Sequence, residues 1–251
     1  MKLAIHPKYI SKKKDIAEII ENFDKSGTIF GDGKRNIIKV FSNSINVKSF
    51  KIPTLINKVV YRFFRKSKAQ RSFEYAVKLL ENNIGTPHPI AYSEFSAFLG
   101  LGKSFYISEH LHPDLTFREL VTIPDYPDHE NILRQFTQFS FELHQKGIEF
   151  LDHSPGNTLI KKVSDTKYDF YLVDLNRMNF HNAMNFEQRM NNLKRLTYKA
   201  EMIAIMSDEY AKLSGKNYSE VYDKLLSYKN DFHRKLQRKR RIKKILKFSK
   251  N

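Results

Sequence analysis

The sequence predicts an α+β chain in two parts: a first part built on a small antiparallel sheet with a helix, and a second part that is mainly helical. Three observations predict it. Short β-branched and aromatic runs, "TIF", "NIIKVF" and "INVKSFK", lie close together between residues 28 and 51 with turn residues between them. Apolar residues recur at helical spacing over 55–83, and again through most of the chain after residue 130. The 251 residues are 41% hydrophobic, and the apolar residues are spread along the whole length. That is enough for one large domain or for two small lobes sharing a cleft.

The first element, 13–23, places Ile16, Ile19, Ile20 and Phe23 on one helical face. The three strand-like runs then read as a meander over 28–51, with "GDGKR" between the first two and "SNS" between the second and third. Helical spacing returns over 55–83, in one stripe through Val59, Val60, Phe63 and Phe64 and a second through Phe73, Val77 and Leu80. Gly85 and Pro87 close it. "PIAYSEF" and "KSFYIS" read as a hairpin around "LGLG", which gives about five strands with a helical insert after the third. A helix is expected over 130–145 with Gly147 as its cap, then a hairpin of "TLIKK" and "YDFYLVD". A long helix over 185–213 ends at Gly215, and a last one begins at Asn217.

Formal net charge is +17, which favours polyanionic partners: nucleic acid, or the anionic face of a membrane. There is no cysteine, so disulfides, thiolate metal sites and a cysteine nucleophile are excluded. The start, "MKLAIHPKYISKKKD", has no signal-peptide pattern, and no apolar run approaches the length of a membrane span. The expectation is a cytoplasmic chain, soluble or peripheral on a membrane.

Four features bear on chemistry. The glycines of "FGDGKRN", Gly31 and Gly33, let backbone N–H groups approach phosphate oxygens, although a glycine turn between strands is usually just a hairpin. Lys48 stands mid-strand in "INVKSF", on the same side as Asn46 and Phe50. A strand lysine is commonly a solvated residue; it gains meaning if a carboxylate waits inside. Glu74 of "RSFEYAVKLL" is the candidate, and reads equally well as an exposed helix residue. In "LDHSPGN", Asp152 can accept a hydroxyl proton, and Asn157 offers a hard carbonyl oxygen suited to Mg²⁺. The bland reading of that pair is a simple Asp/Asn turn. Asp174 leaves the apolar strand "YDFYLVD", where a carboxylate is costly unless paired or bound to metal.

The order of these features resembles the protein-kinase-like superfamily: glycine loop, strand lysine, helix glutamate, Asp-x4-Asn loop, strand-end aspartate. Within it the chain most resembles the lipopolysaccharide inner-core kinases of the Kdo/WaaP family, and among those the Kdo-kinase-like proteins of Bacteroidetes. "VDLNR" and "GDGKRNIIKVF…NVKSFK…LINKVVYRFFRKSKAQRSFEYA" carry the likeness. The resemblance implies a bilobal kinase-like fold, with residues 1–108 as N-lobe and 109–251 as C-lobe. It implies ATP and Mg²⁺, and transfer of phosphate to a sugar hydroxyl, such as that of Kdo, on the lipid A–core precursor at the cytoplasmic side of the inner membrane. By the same resemblance Asp152 is the catalytic base. Lys48 contacts the α/β phosphates and Glu74 orients it. Asn157 and Asp174 ligate Mg²⁺, and Gly31 and Gly33 cover the phosphates. Glu109 to Leu111 form the hinge that reads adenine through backbone atoms, and Arg177 contacts an anionic group of the acceptor.

The chain departs from the wider kinase pattern at several points. Asn36 stands near where a third loop glycine would fall, Phe150-Leu151 replaces His-Arg before Asp152, Asn176 replaces the glycine two residues after Asp174, and no Ala-Pro-Glu follows. Loss of the arginine argues against control by a phosphorylated activation loop, and the missing Ala-Pro-Glu weakens a protein-substrate reading. A protein or small-molecule kinase of the same fold is the second expectation, and a non-catalytic basic binding module the third. Two basic segments, 62–71 and 233–248, fit an anionic membrane surface. No aromatic-interleaved RNA motif and no zinc ligand pattern favour nucleic acid.

Overall fold

The computed structural model describes residues 1–33, 36–52, 66–97 and 100–248. The chain forms two compact units: Met1–His112 with Tyr171–Arg177, and Pro113–Phe170 with Met178–Asn251.

The first unit is built on a six-stranded sheet in the order β1-β5-β6-β4-β3-β2. The strands are β1 (Lys2–Ile5), β2 (Thr28–Gly33), β3 (Asn36–Phe41), β4 (Ile45–Phe50), β5 (Pro89–Ala97) and β6 (Gly100–Glu109). The meander β2–β3–β4 is antiparallel, as its alternation and turns predict. Strand β1 is the addition to the expected five; its four residues are too short to carry a periodic signal. It pairs with β5. The expected glycine loop is partly strand, because "GDG" lies within β2; Lys34 and Arg35 lie outside the described residues.

Among the described residues, one α-helix packs on each face of the sheet. Helix α1 (Lys13–Glu21) lays Ile16 and Ile20, with Phe23 beyond its end, against Phe41, Val47, Phe105 and Ile107. Helix α2 (Lys68–Glu81), capped by the Ser67 hydroxyl on the Gln70 N–H, buries Ala69 with Phe50 and Tyr92 on the other face. The helical stripe expected through Leu55 to Phe64 lies outside the described residues.

The second unit is mainly helical: α3 (Phe117–Thr122), α4 (His129–Gln145), α5 (Phe186–Leu193), α6 (Ala200–Ser214) and α7 (Tyr218–Phe248). Five short strands accompany them: β7 (Leu115–Thr116), β9 (Thr158–Lys162) and β10 (Tyr168–Leu172) in one sheet with β9 central, and β8 (Ile148–Phe150) paired with β11 (Met178–Phe180). The core joins Phe117, Leu133 and Phe136 to Met202, Met206 and Tyr210, and takes in Val221 and Leu225 of α7.

The single helix expected over 185–213 is two helices. A capping box at Asn185 and Gln188 starts α5. Beyond Leu193, the Leu196 N–H closes a turn on the Leu193 carbonyl, and the Thr197 hydroxyl accepts the Lys199 N–H at 3.1 Å. That hydroxyl offers the backbone a local alternative to the helical ladder.

Candidate active site

In the first unit, β4 carries Lys48 between Ile38 and Tyr106 of its neighbours, on the face of Phe50 rather than that of Val47. The lysine is 9% exposed, and its Nζ donates to Asp174 Oδ1 at 2.6 Å. These residues are 126 positions apart in sequence. Two bonds fix the segment that delivers Asp174: the Leu172 N–H donates to Gly85 O, and the Thr86 hydroxyl to Leu172 O, both at 2.8 Å. Asp174 has φ 61°, a left-handed conformation costing about 1 kcal/mol or more for a residue other than glycine. Asn176, which replaces the usual glycine, donates to the same Oδ1 at 2.7 Å. Arg177 is exposed at the end of this segment.

Lys48 and Glu74 are not brought together. Glu74 accepts Lys66 Nζ at 2.8 Å on each oxygen and Gln70 Nε2 at 3.0 Å. Lys66 sits just ahead of α2 and reaches the carboxylate along the helix surface, and Gln70 meets it at i,i+4 spacing. Two cations of the basic segment 62–71 are therefore spent inside the unit, since Arg71 of α2 is also buried and donates to the Ser67 carbonyl.

Gly31 pairs with Ile38 just after a bulge in β2. A Cβ there would lie at an ordinary 3.7 Å from the Ile38 side chain, so packing alone does not demand glycine. At the segment expected to be the hinge, the Glu109 N–H is bound to His88 O and the His110 N–H to Ser44 O. The Glu109 carboxylate accepts the Tyr9 hydroxyl. The Leu111 N–H has no backbone acceptor among the described residues.

In the second unit, α4 ends at Gln145 and Gly147 turns the chain at φ 69°, where a Cβ would fall 2.0 Å from the His181 carbonyl oxygen. Strand β8 then leads into the Asp152 loop. The Asn192 amide donates to Phe150 O at 2.8 Å, and the His153 N–H to the same carbonyl at 3.1 Å. Pro155–Asn157 form a short 3-10 turn. Asn157 Nδ2 donates to the Asp152 carbonyl at 2.8 Å. With its nitrogen end so fixed, the amide presents its oxygen as the ligand a hard cation prefers.

Three features of this loop have roles that the sequence pattern does not show. Arg195 Nη1 donates to Asp152 Oδ1 at 2.7 Å and to Leu151 O at 3.2 Å. Asn192 joins the loop, through the Phe150 carbonyl, to the buried His144, and His153 of the loop is itself buried. His144 Nδ1 lies 3.0 Å from the Tyr210 hydroxyl and Nε2 lies 3.2 Å from Asn192 Oδ1. Because Asn192 Oδ1 is an acceptor, Nε2 carries the proton and Nδ1 accepts from Tyr210. His153 packs between the rings of Phe136 and Phe150. All are contacts between distant parts of the chain, without a local pattern to announce them. Among the described residues, no group of three or more His, Cys, Asp or Glu could hold a metal. By chemical type, the Asn157 side-chain oxygen and the Asp174 carboxylate are each the kind of hard oxygen donor that Mg²⁺ takes one or two of, beside phosphate and water oxygens.

The family model for the lipopolysaccharide kinase (Kdo/WaaP) family matches residues 50–222, more than half of the chain. The chain belongs to that family. No curated protein sequence matches it. Among solved structures, WaaP in complex with acyl carrier protein is similar with a TM-score of 0.63 at 15% identity, over 95% of this chain and 99% of that one. The GDP complex of wild-type aminoglycoside 2'-phosphotransferase-IIIa is similar with a TM-score of 0.56 at 9% identity, over 86% and 88%. A ternary complex of streptomycin, ATP and a further aminoglycoside phosphotransferase gives 0.51 at 11%, over 83% and 87%. The fold is therefore the protein-kinase-like one that the sequence implied. As a Kdo/WaaP-family member the chain is a nucleotide-using phosphotransferase, a lipopolysaccharide kinase.

Proposed function

We propose that this kinase moves the γ-phosphoryl group of ATP to a hydroxyl of an inner-core sugar, Kdo, on the lipid A–core precursor at the cytoplasmic face of the inner membrane. Asp152 takes the proton of the acceptor hydroxyl as its oxygen bonds to the γ-phosphorus. The bond from that phosphorus to the β,γ-bridging oxygen breaks, and ADP leaves with the electron pair. Lys48 neutralises the α/β phosphates, and the backbone at Gly31 and Gly33 covers them. Glu109 O and Leu111 N read the adenine edge. Glu74 orients Lys48 once it exchanges its bonds to Lys66 and Gln70. Arg177 meets an anionic group of the acceptor. Asn157 and Asp174 would hold Mg²⁺, which would supply charge neutralisation at the phosphates.

The observation that carries the role assignment is the 2.6 Å pair between Lys48 and Asp174. A strand lysine and a strand-end aspartate converge where a kinase needs both. Membrane docking is supported by the form of α7. Its first turns pack Val221 and Leu225 into the core, whereas Arg234, Lys235, Arg238, Lys239, Arg240, Arg241 and Lys243 are all exposed, with Ile242 among them. Each such cation contributes about 1 kcal/mol at an anionic bilayer. No described helix is long and apolar enough to cross a membrane.

Thermal unfolding with ATP and Mg²⁺, on wild type and Asp174→Ala, tests the site. Ligand binding to the native state raises stability by mass action. A Mg²⁺-dependent rise lost in the variant is the expected result. An equal rise in both removes Asp174 from the metal site. Transfer of labelled phosphate to Kdo–lipid A then tests the acceptor.

A further inference from the structure

We propose that Arg195 is a positioning residue for Asp152, seated on helix α7 through Phe232. The inference rests on the reading of Asp152 as the base. Arg195 lies in the break between α5 and α6, which the sequence pattern does not show. One guanidinium nitrogen, Nη1, bridges the loop: it meets the carboxylate of Asp152 at 2.7 Å and the carbonyl of Leu151 at 3.2 Å. A charge-assisted bond of that length to one oxygen sets the carboxylate rotamer, and so sets where the second oxygen points. The bond to the backbone one residue earlier ties that rotamer to the loop itself.

The guanidinium is in turn held from behind. Its carbon lies 5.7 Å from the centre of the Phe232 ring, within cation–π range. The pair is partly shielded, with 32% and 20% of the Arg195 and Asp152 side chains exposed, so solvent screens it less than a surface pair. In many kinases the arginine beside the catalytic aspartate precedes it in sequence; here Leu151 occupies that place. Arg195 brings a guanidinium to the aspartate from another element.

A double-mutant cycle tests this: wild type, Arg195→Ala, Asp152→Asn and the double variant, assayed for phosphate transfer to Kdo–lipid A. Misplacing a reacting group by a fraction of an ångström to 1 Å lowers turnover by about 10- to 100-fold, so Arg195→Ala should lose that much kcat with KM for ATP within about twofold. In the Asp152→Asn background, removing Arg195 should cost nothing more, because its effect runs through the carboxylate. Arg195→Lys should recover part of the loss, and Phe232→Leu should show a smaller loss of kcat alone; these two also serve if Arg195→Ala fails to fold. Unchanged kcat, or an equal loss in both backgrounds, overturns the proposal. If wild type phosphorylates no Kdo–lipid A, the acceptor assignment fails, and the same cycle is read on ATP hydrolysis by water. A wild type inactive in both assays has no base to position, which overturns the proposal as well.

Discussion

Acidification should destabilise this protein through two buried imidazoles. His144 and His153 are fully enclosed, and burial pushes them down to about 3 and about 4 respectively. Arg189 and His153 near His144, and Arg195 near His153, push the same way. Asn192 opposes the shift in both, yet neither nitrogen of His153 meets hydrogen-bond geometry with any described residue. In the unfolded chain both titrate near 6.5. As pH falls below that value the unfolded state takes up protons that the folded state refuses, so stability is full above about 6.5 and is lost on the way down to the folded values. At pH 5 each histidine costs about 2 kcal/mol, roughly 4 kcal/mol together, or a fall in Tm of about 10 °C for a chain of this size. Carboxylates held low by partners, such as Glu119 and Asp208, give up their stabilisation only below about pH 4.5 and add little here. His6 and His110 are also lowered, but both reach solvent.

The assay is urea unfolding followed by circular dichroism at several pH values from about 7.5 to about 5. The control is His153→Leu, an apolar side chain among Phe136 and Phe150. The variant should lose about half of the pH dependence while matching or exceeding wild-type stability at pH 5. A wild type equally stable at both ends of the range would refute the reasoning. So would a variant whose pH dependence equals that of wild type.

Two further outcomes follow from the same geometry. Gly147→Ala should cost more than about 2 kcal/mol, because a left-handed φ and a Cβ 2.0 Å from a backbone oxygen act together. Gly215→Ala, at φ 68° with nothing within 4 Å, should cost only about 1 kcal/mol, and equal losses would show that steric contact at His181 is unimportant. Asp152→Ala should abolish phosphate transfer while the far-UV spectrum and cooperative unfolding persist; retained turnover would remove Asp152 from the role of base.

The sequence by itself determined the local order of elements. Alternation and turn residues fix the β2–β3–β4 meander, and helical spacing fixes α1, α2 and α4, because these signals act between neighbours in the chain. Chemical type and position along the chain also made Lys48, Asp152, Asn157 and Asp174 candidates one by one. What only the tertiary structure decided is which of them meet. Lys48 finds Asp174 across 126 residues, whereas Glu74 is taken by Lys66, a nearer cation that reaches it along the surface of α2. Strand β1 is too short to show a period and is a strand only because the edge of β5 accepts it. The break between α5 and α6 hides in a helical pattern, since a threonine hydroxyl and a buried leucine redirect the chain without glycine or proline. Arg195, Asn192 and the two buried histidines carry no local signature, because long-range ion pairs and buried hydrogen bonds depend on the arrangement of packed elements and not on sequence spacing.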